Sequence, residues 1–221
     1  MTAWARALPL IPSILAALLK AAVTTLEITA GALAIALILG LVVAFMRRSR
    51  SALAVLAAET YVQVFRCIPV LTQLFIIYFG LGEFGLRLSP LTAAIIGFGL
   101  NGTAYLAEIY RSGIDAVHKG QAEAALAIGM TRPQAMWWIV LPQAIRTSLP
   151  PIGNYGIGLL KDSSIAMAIA APEITFQATA IINQTYLSTQ VYLIMTAIYL
   201  AMSLPLSHAV RLLEARTGRG R

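Results

Sequence analysis

Lys161, Asp162, Ser163 and Ser164 stand side by side in a stretch, residues 152–170, that is otherwise largely apolar. An ammonium, a carboxylate and two hydroxyls can ion-pair with a polar solute and hydrogen-bond it where hydrocarbon offers nothing. Ionisable residues inside such a stretch are costly and face a bundle interior or an aqueous cavity. Adjacent helical residues point in different directions, so Lys161 and Asp162 do not simply pair with each other. Structural pairing with Glu108, Arg111 or a second chain is the competing reading. Asp162 ranks first as a determinant, and Ser164, Asn101 and Gln73 are further candidates for lining a polar path.

Catalysis has no comparable constellation. No Gly-x-x-x-x-Gly-Lys-Ser/Thr phosphate loop and no His-Glu-x-x-His helix occurs, and His118 and His208 lie far apart without clustered carboxylates. An intramembrane hydrolase would lack its nucleophile and base. The lone Cys67 excludes an internal disulfide and reads as a buried structural thiol. No catalytic residue, metal ligand or cofactor is expected.

The elements that must hold these residues follow from composition. With 59% hydrophobic and 11% charged residues, and a mean hydropathy of +0.80, the 221-residue chain reads as an all-α polytopic membrane bundle in one domain, 1–221. Leu8 to Leu19 is apolar but broken by Pro9 and Pro12 and followed by Lys20, so it is expected as a retained interfacial helix, not a cleaved signal. Spans are expected at Ala21 to Met46, at Ala52 to Leu81 with Pro69 opening its second half, at Leu91 to Tyr110, at Ile152 to Ala170 and at Val191 to Val210, about five in all. Glu59, Gln63 and Arg66 form a polar stripe on the first half of the second span. The glycines and Asn101 between Gly97 and Gly102 suit an interior helix in close contact with its neighbours. Gly82 to Pro90, and Pro172 to Gln190 with Glu173, are expected as external loops.

The net charge of +7 is partitioned rather than diffuse. This topology puts Arg47, Arg48, Arg50, Arg111, Lys119, Arg132, Arg146, Arg211, Arg216, Arg219 and Arg221 in the cytoplasm and only Arg6, Lys20 and Arg87 outside. The positive-inside rule therefore orients the N-terminus outward and the C-terminus inward, and it accounts for the basic residues without nucleic acid.

Between the third and fourth spans, 111–151 is a water-compatible island. Gln121 to Met130 is Ala- and Leu-rich with Glu123 in its first turn, and Gly129 is placed to end it. Thr131, Pro133 and Gln134 then mark a fresh N-terminus with a capping box, opening a helix expected to run until Pro142. A helix-turn-helix knob results. It can cap the bundle or meet a partner in the cytoplasm, and it has the outline of a DNA-reading motif, although Met136, Trp137, Trp138 and Ile139 are not base-reading side chains.

Glu123-Ala124-Ala125, three residues, Gly129, nine residues, Ile139, one residue and Leu141-Pro142 resembles the EAA motif of membrane subunits of ATP-binding-cassette importers. Ala107 to Ile114, Lys119-Gly120-Gln121, Leu141 to Arg146, Leu149-Pro150-Pro151, Lys161 to Ser164, Thr25 to Ile28 and Tyr61 to Arg66 narrow the resemblance to the polar amino acid permease subfamily. Arg66-Cys67-Ile68-Pro69 stands where that subfamily commonly has Arg-Gly-Thr-Pro. The resemblance implies a type I importer permease fold in the bacterial inner membrane. It also implies a second permease chain, alike or different, a cytoplasmic ATPase dimer contacted through Glu123, Ala124, Ala125, Gly129, Leu141 and Pro142, and an external or periplasmic solute-binding protein. A secondary carrier or channel is the alternative, distinguished by uptake that ignores ATP.

Overall fold

The computed structural model describes Trp4 and residues 7–217, without the side chains of residues 216 and 217. The cations expected at Arg6, Arg219 and Arg221, and the side chain of Arg216, lie outside the described residues.

Helix α1, Ile11–Met46, follows directly on a 3-10 turn at Leu8–Leu10. The separate interfacial helix expected before Lys20 does not exist. Pro9 and Pro12 sit in first turns, where a missing N–H leaves no bond unmade. Ile14, Leu18 and Ala21 also pack against Ile174, Leu187 and Val191, so the first turns are held as firmly as the rest. At 36 residues the helix is about 54 Å long, well beyond the roughly 30 Å of hydrocarbon it must cross.

Helices α2, Ala52–Cys67, and α3, Val70–Glu83, meet at 106°. The single second span expected there is thus a sharply bent pair. Pro69 cannot donate, and the residue before it is driven out of the helical region, as the extended Ile68 shows with φ −91° and ψ 131°. The carbonyls freed by the break are recovered by side chains. Gln73 Nε2 donates to the Phe65 oxygen at 2.9 Å and to the Ile68 oxygen at 2.7 Å, and Asn101 Nδ2 donates to the Phe65 oxygen at 3.0 Å.

Helix α4, Pro90–Asp115, is capped by Ser89, whose Oγ accepts from the Thr92 N–H at 3.1 Å. It is the interior helix, as the small residues at 97–102 predict. A Cβ on Gly99 would lie 2.8 Å from Ile35 of α1, so the two backbones approach closer than an alanine allows. Phe98, Ala104, Leu106 and Ala107 are buried, and Tyr61 of α2 donates to the Leu100 carbonyl at 2.7 Å.

Helix α5, Lys119–Ala127, leads through a tight turn to α6, Arg132–Ile169, which turns 3-10 from Ser163. The helix expected to stop at Pro142 continues. Met136–Val140 forms a π-helical turn in which the Leu141 N–H donates to the Met136 carbonyl five residues back, and the wider turn makes room for the proline ring. The helix that carries the fourth expected span therefore begins twenty residues earlier than Ile152.

The external loop expected at Pro172–Gln190 holds a helix, α7, Ile174–Thr185. Its cap is Glu173, fully buried, whose carboxylate accepts from the N–H groups of Thr175 and Phe176 at 2.8 Å each and from the Tyr199 hydroxyl at 3.1 Å. Helix α8, Ser188–Thr217, completes the fold, with Pro205 inside it. Among the described residues, Leu8–Met46 and Ser188–Ala215 are long and apolar enough to cross a bilayer alone, and the two bent pairs, α2 with α3 and α6 with α7, raise that number to four. The expected count of about five is close rather than exact. Helix α4 falls short by composition because its glycines and polar residues face protein, not lipid.

Candidate functional site

Two regions gather the chemistry. The first is the knob. Helix α5 opens at His118, whose Nδ1 accepts from the Gly120 N–H at 3.1 Å, and ends two residues before Gly129. The Met130 N–H reaches the Ala125 carbonyl at 3.1 Å and the Gly129 N–H reaches that of Leu126 at 3.0 Å, the paired bonds of a Schellman turn, with Gly129 at φ +88°. Nothing lies within 4 Å of a Cβ built there, so the backbone angle and not crowding requires glycine. Gln134 Oε1 then accepts from both the N–H and the hydroxyl of Thr131, at 2.8 and 3.0 Å, which fulfils the expected N-terminus.

Ala125 is 4% exposed and faces inward, whereas Glu123, Ala124, Gly129 and Pro142 are exposed. Leu126, Ile128, Trp137 and Trp138 are also exposed, which leaves an apolar outer surface on a polar island. Ile114, Val140 and Ala144 form a small core beneath it with Ala122 and Met136. Gln143 Nε2 donates to Gln121 Oε1 at 3.3 Å, fastening α5 to α6.

The second region is a cavity of about 530 Å³ at the break between α2 and α3. Arg66 and Cys67 line it from α2, Asn101 and Tyr105 from α4, and Tyr155 and Asp162 from α6. The Arg66 guanidinium sits 5.5 Å from the Tyr105 ring centroid, and Tyr105 and Tyr155 stack at 5.9 Å. A Cβ on Gly102 would lie 2.6 Å from the Tyr155 hydroxyl, so that glycine admits the ring. A second cavity of about 510 Å³ shares Arg66, Tyr105 and Tyr155 and continues past Glu108, Ser112 and Thr147. The two cavities thus adjoin along α4 and α6.

Of the residues singled out in the sequence, Asp162 and Asn101 line the first cavity. Gln73 is buried behind it, with its Oε1 3.4 Å from Asn101 Nδ2. Lys161 is exposed and lines neither cavity, Ser163 is fully buried and donates to the Leu160 carbonyl at 2.8 Å, and Ser164 is half-buried away from both. The four-residue cluster is therefore dispersed by the helix that carries it. Cys67, expected as a buried thiol, is exposed at the cavity wall. The position ends α2 at the extended Ile68-Pro69, and none of the described residues covers it.

Glu108 and Arg111 do not pair with Lys161 or Asp162, which close no ion pair among the described residues. Glu108 accepts instead from Arg47 at 2.6 Å and from Arg111. Asp115 accepts from Arg48 at 3.1 Å and from Arg111 at 2.8 Å, so the network bolts the end of α1 to α4. Arg66, Tyr105 and Tyr155 are the lining residues that sequence reasoning missed. Arg66 is legible in the Glu59, Gln63, Arg66 stripe and in the Arg66-Cys67-Ile68-Pro69 run, but neither marks it as a cavity residue. The two tyrosines carry no local signal.

Residues 36–219 match the family described as binding-protein-dependent transport system inner membrane component. The chain is similar to a probable glutamine ABC transporter permease protein of Bacillus subtilis, at 40% identity over 84% of this chain and 86% of that one. It is similar also to the glutamine transport system permease protein of Escherichia coli, at 35% over 96% of both, and to a nopaline transport system permease protein of Agrobacterium fabrum, at 39% over 89% and 86%. A crystal structure of an amino acid ABC transporter with histidines contains a chain that superposes with TM-score 0.87 at 40% identity, covering 90% of this chain and 94% of that one. An inward-facing methionine ABC transporter shares the fold, with TM-score 0.67 at 20% identity over 89% and 95%.

Proposed function

Because the chain belongs to the family of binding-protein-dependent transport system inner membrane components, and so is the permease subunit of an ATP-binding-cassette importer, we propose that it carries polar amino acids or closely related zwitterions across the bacterial cytoplasmic membrane. The observation that carries the substrate class is the presence of Arg66 and Asp162 on one cavity, together with Asn101 and two stacked tyrosines. A guanidinium suits a carboxylate and a carboxylate suits an ammonium, so the cavity offers both ends of a zwitterion a partner of opposite sign. Relatives named for glutamine and nopaline, and the neighbour crystallised with histidines, support the same class.

Within residues 111–151 the knob is the surface that docks on a cytoplasmic ATPase dimer, through Glu123, Ala124, Gly129, Leu141 and Pro142, while Ala125, buried beneath them, packs the knob and does not touch the partner. Its exposed apolar residues on a polar island support that reading. A second permease chain completes the path. Glu59, Thr60, Gln63 and Cys67 share one exposed face of α2, and lipid offers those polar groups nothing. An external binding protein delivers the solute, with the N-terminus outside and the C-terminus in the cytoplasm.

The test is uptake of labelled glutamine and other amino acids by proteoliposomes holding the full complex, with ATP inside and the binding protein outside, using yield-matched Asp162→Asn and Arg66→Gln. ATP-dependent uptake that zwitterions compete and both variants depress supports the reading. Uptake that follows an ion gradient without ATP, or that zwitterions leave untouched, overturns it.

A further inference from the structure

We propose that the groove between α1, α4 and α6 at the cytoplasmic end of the bundle is a phospholipid site, holding one acyl chain of an anionic lipid of the cytoplasmic leaflet with Trp137 as its rim. The groove has a volume of about 390 Å³ and is walled by Leu37, Leu41 and Phe45 of α1, Tyr110 of α4, and Trp137 and Ile145 of α6. Its chemistry suits a hydrocarbon. The Tyr110 hydroxyl already donates to the Leu37 carbonyl at 3.2 Å, and Ser148 at the base is buried, so a polar solute finds almost no partner. An unfilled apolar slot of this size forfeits dispersion contacts along its whole wall, which an alkyl chain restores.

Depth and charge select the occupant. Leu37 lies eight residues before Phe45, about 12 Å along the axis, which is most of the roughly 15 Å of hydrocarbon in one leaflet. Arg47, Arg48 and Arg50 follow directly on the end of the apolar run. Leu37, Leu41 and Phe45 share a helical face and the cations follow in the turn just past Met46, so a chain lying along that face ends with its phosphate near them. Arg48 is held by Asp115, while Arg50 is exposed and closes no ion pair among the described residues. The rim gives the site a consequence. Trp137 belongs to the knob and stacks on Phe45 with ring centroids 6.2 Å apart, so the occupant bears on the element proposed to meet the ATPase. The leaflet assignment rests on the orientation proposed above.

The experiment uses the full complex in vesicles containing a phospholipid with a diazirine in mid-chain, on either a phosphatidylglycerol or a phosphatidylcholine headgroup, with adducts mapped by mass spectrometry after irradiation. Adducts at Leu37 to Phe45 and at Trp137 to Ile145 should exceed those at the exposed Leu200 and Leu204 several-fold. Phosphatidylglycerol should label more than phosphatidylcholine, Arg50→Gln should reduce that preference, and Ile145→Trp should empty the groove of label at unchanged complex yield. Labelling no stronger than at Leu200 overturns the site, and equal labelling by the two headgroups overturns the anionic lipid. Disulfide-linked permease dimers from Leu41→Cys in a Cys67→Ser background would make a second chain the occupant and also overturn it. A reporter at Arg50 separates the two premises: groove adducts with Arg50 outside overturn the leaflet, and absent adducts with Arg50 inside overturn the site.

Discussion

Gln73 reaches past the break at Pro69 to donate to the carbonyls of both Phe65 and Ile68. One side-chain amide thus takes over hydrogen bonds that the backbone cannot make, at the point where α2 ends against the cavity.

Replacing Gln73 with Leu leaves the Ile68 carbonyl without its amide donor inside protein, a loss of about 1 to 3 kcal/mol. Asn101→Leu should cost less, since Phe65 keeps the Gln73 amide. Thermal unfolding of the purified complex measures both. Equal stability of Gln73→Leu and the unaltered chain would show that water already serves those carbonyls.

Asp162→Asn keeps the volume and removes the charge. Assembly with the ATPase should survive, because Asp162 is exposed and closes no ion pair among the described residues, while uptake of a zwitterion falls about tenfold or more, as loss of a charged hydrogen bond of about 1.5 to 3 kcal/mol implies. Complex yield and uptake are to be read on one preparation. Normal uptake from an intact variant removes Asp162 from the path.

At Gly129, φ is +88° and space is open, so the penalty for a side chain is conformational. Gly129→Val should weaken ATPase co-purification and substrate-stimulated hydrolysis strongly, Gly129→Ala by less, and Gly129→Asn least, because Asn visits the left-handed region routinely. A flat ranking across the three, with transport intact, would falsify the docking assignment. Glu123→Lys, which alters charge and not backbone, should weaken association without disturbing insertion of the membrane domain.

Reporter tags at Arg50 and Thr131 should respond from the cytoplasm and tags at Glu83 and Asn183 from outside. Asn183 is the sharpest of the four, since it lies in α7 between two elements that leave the helix direction otherwise undetermined. A cytoplasmic signal there overturns the proposed orientation of the last span.

The parts of this fold that local chemistry dictates were legible. The caps at Thr131 and Gln134, the stop at Gly129 and the close packing around Gly99 are each decided within a few residues or by a glycine that admits one neighbour. Pro69 announced a break in the same way, yet nothing in its vicinity encodes an angle of 106°, which depends on what α4 presents to receive it. Pro142 misled because a π-helical turn, invisible in the residue pattern, lets the helix pass. Glu173 sits in a stretch whose proline and polar residues suggest a loop, although a carboxylate followed by Ile174, Ala178 and Ile181 is a capped apolar face. The convergence of Arg66, Tyr105 and Tyr155 is tertiary and has no sequence signature.

The continuity of α6 through Pro142 turns one helix into a push-rod. From Arg132 to Asp162 it runs about 45 Å, so a displacement imposed at one end is delivered at the other without a relay of side chains. Its stiffness is uneven. Pro150 and Pro151 each remove a backbone donor, and the π turn loosens the ladder a second time nearer the knob, so compliance is concentrated at two built-in points of the rod.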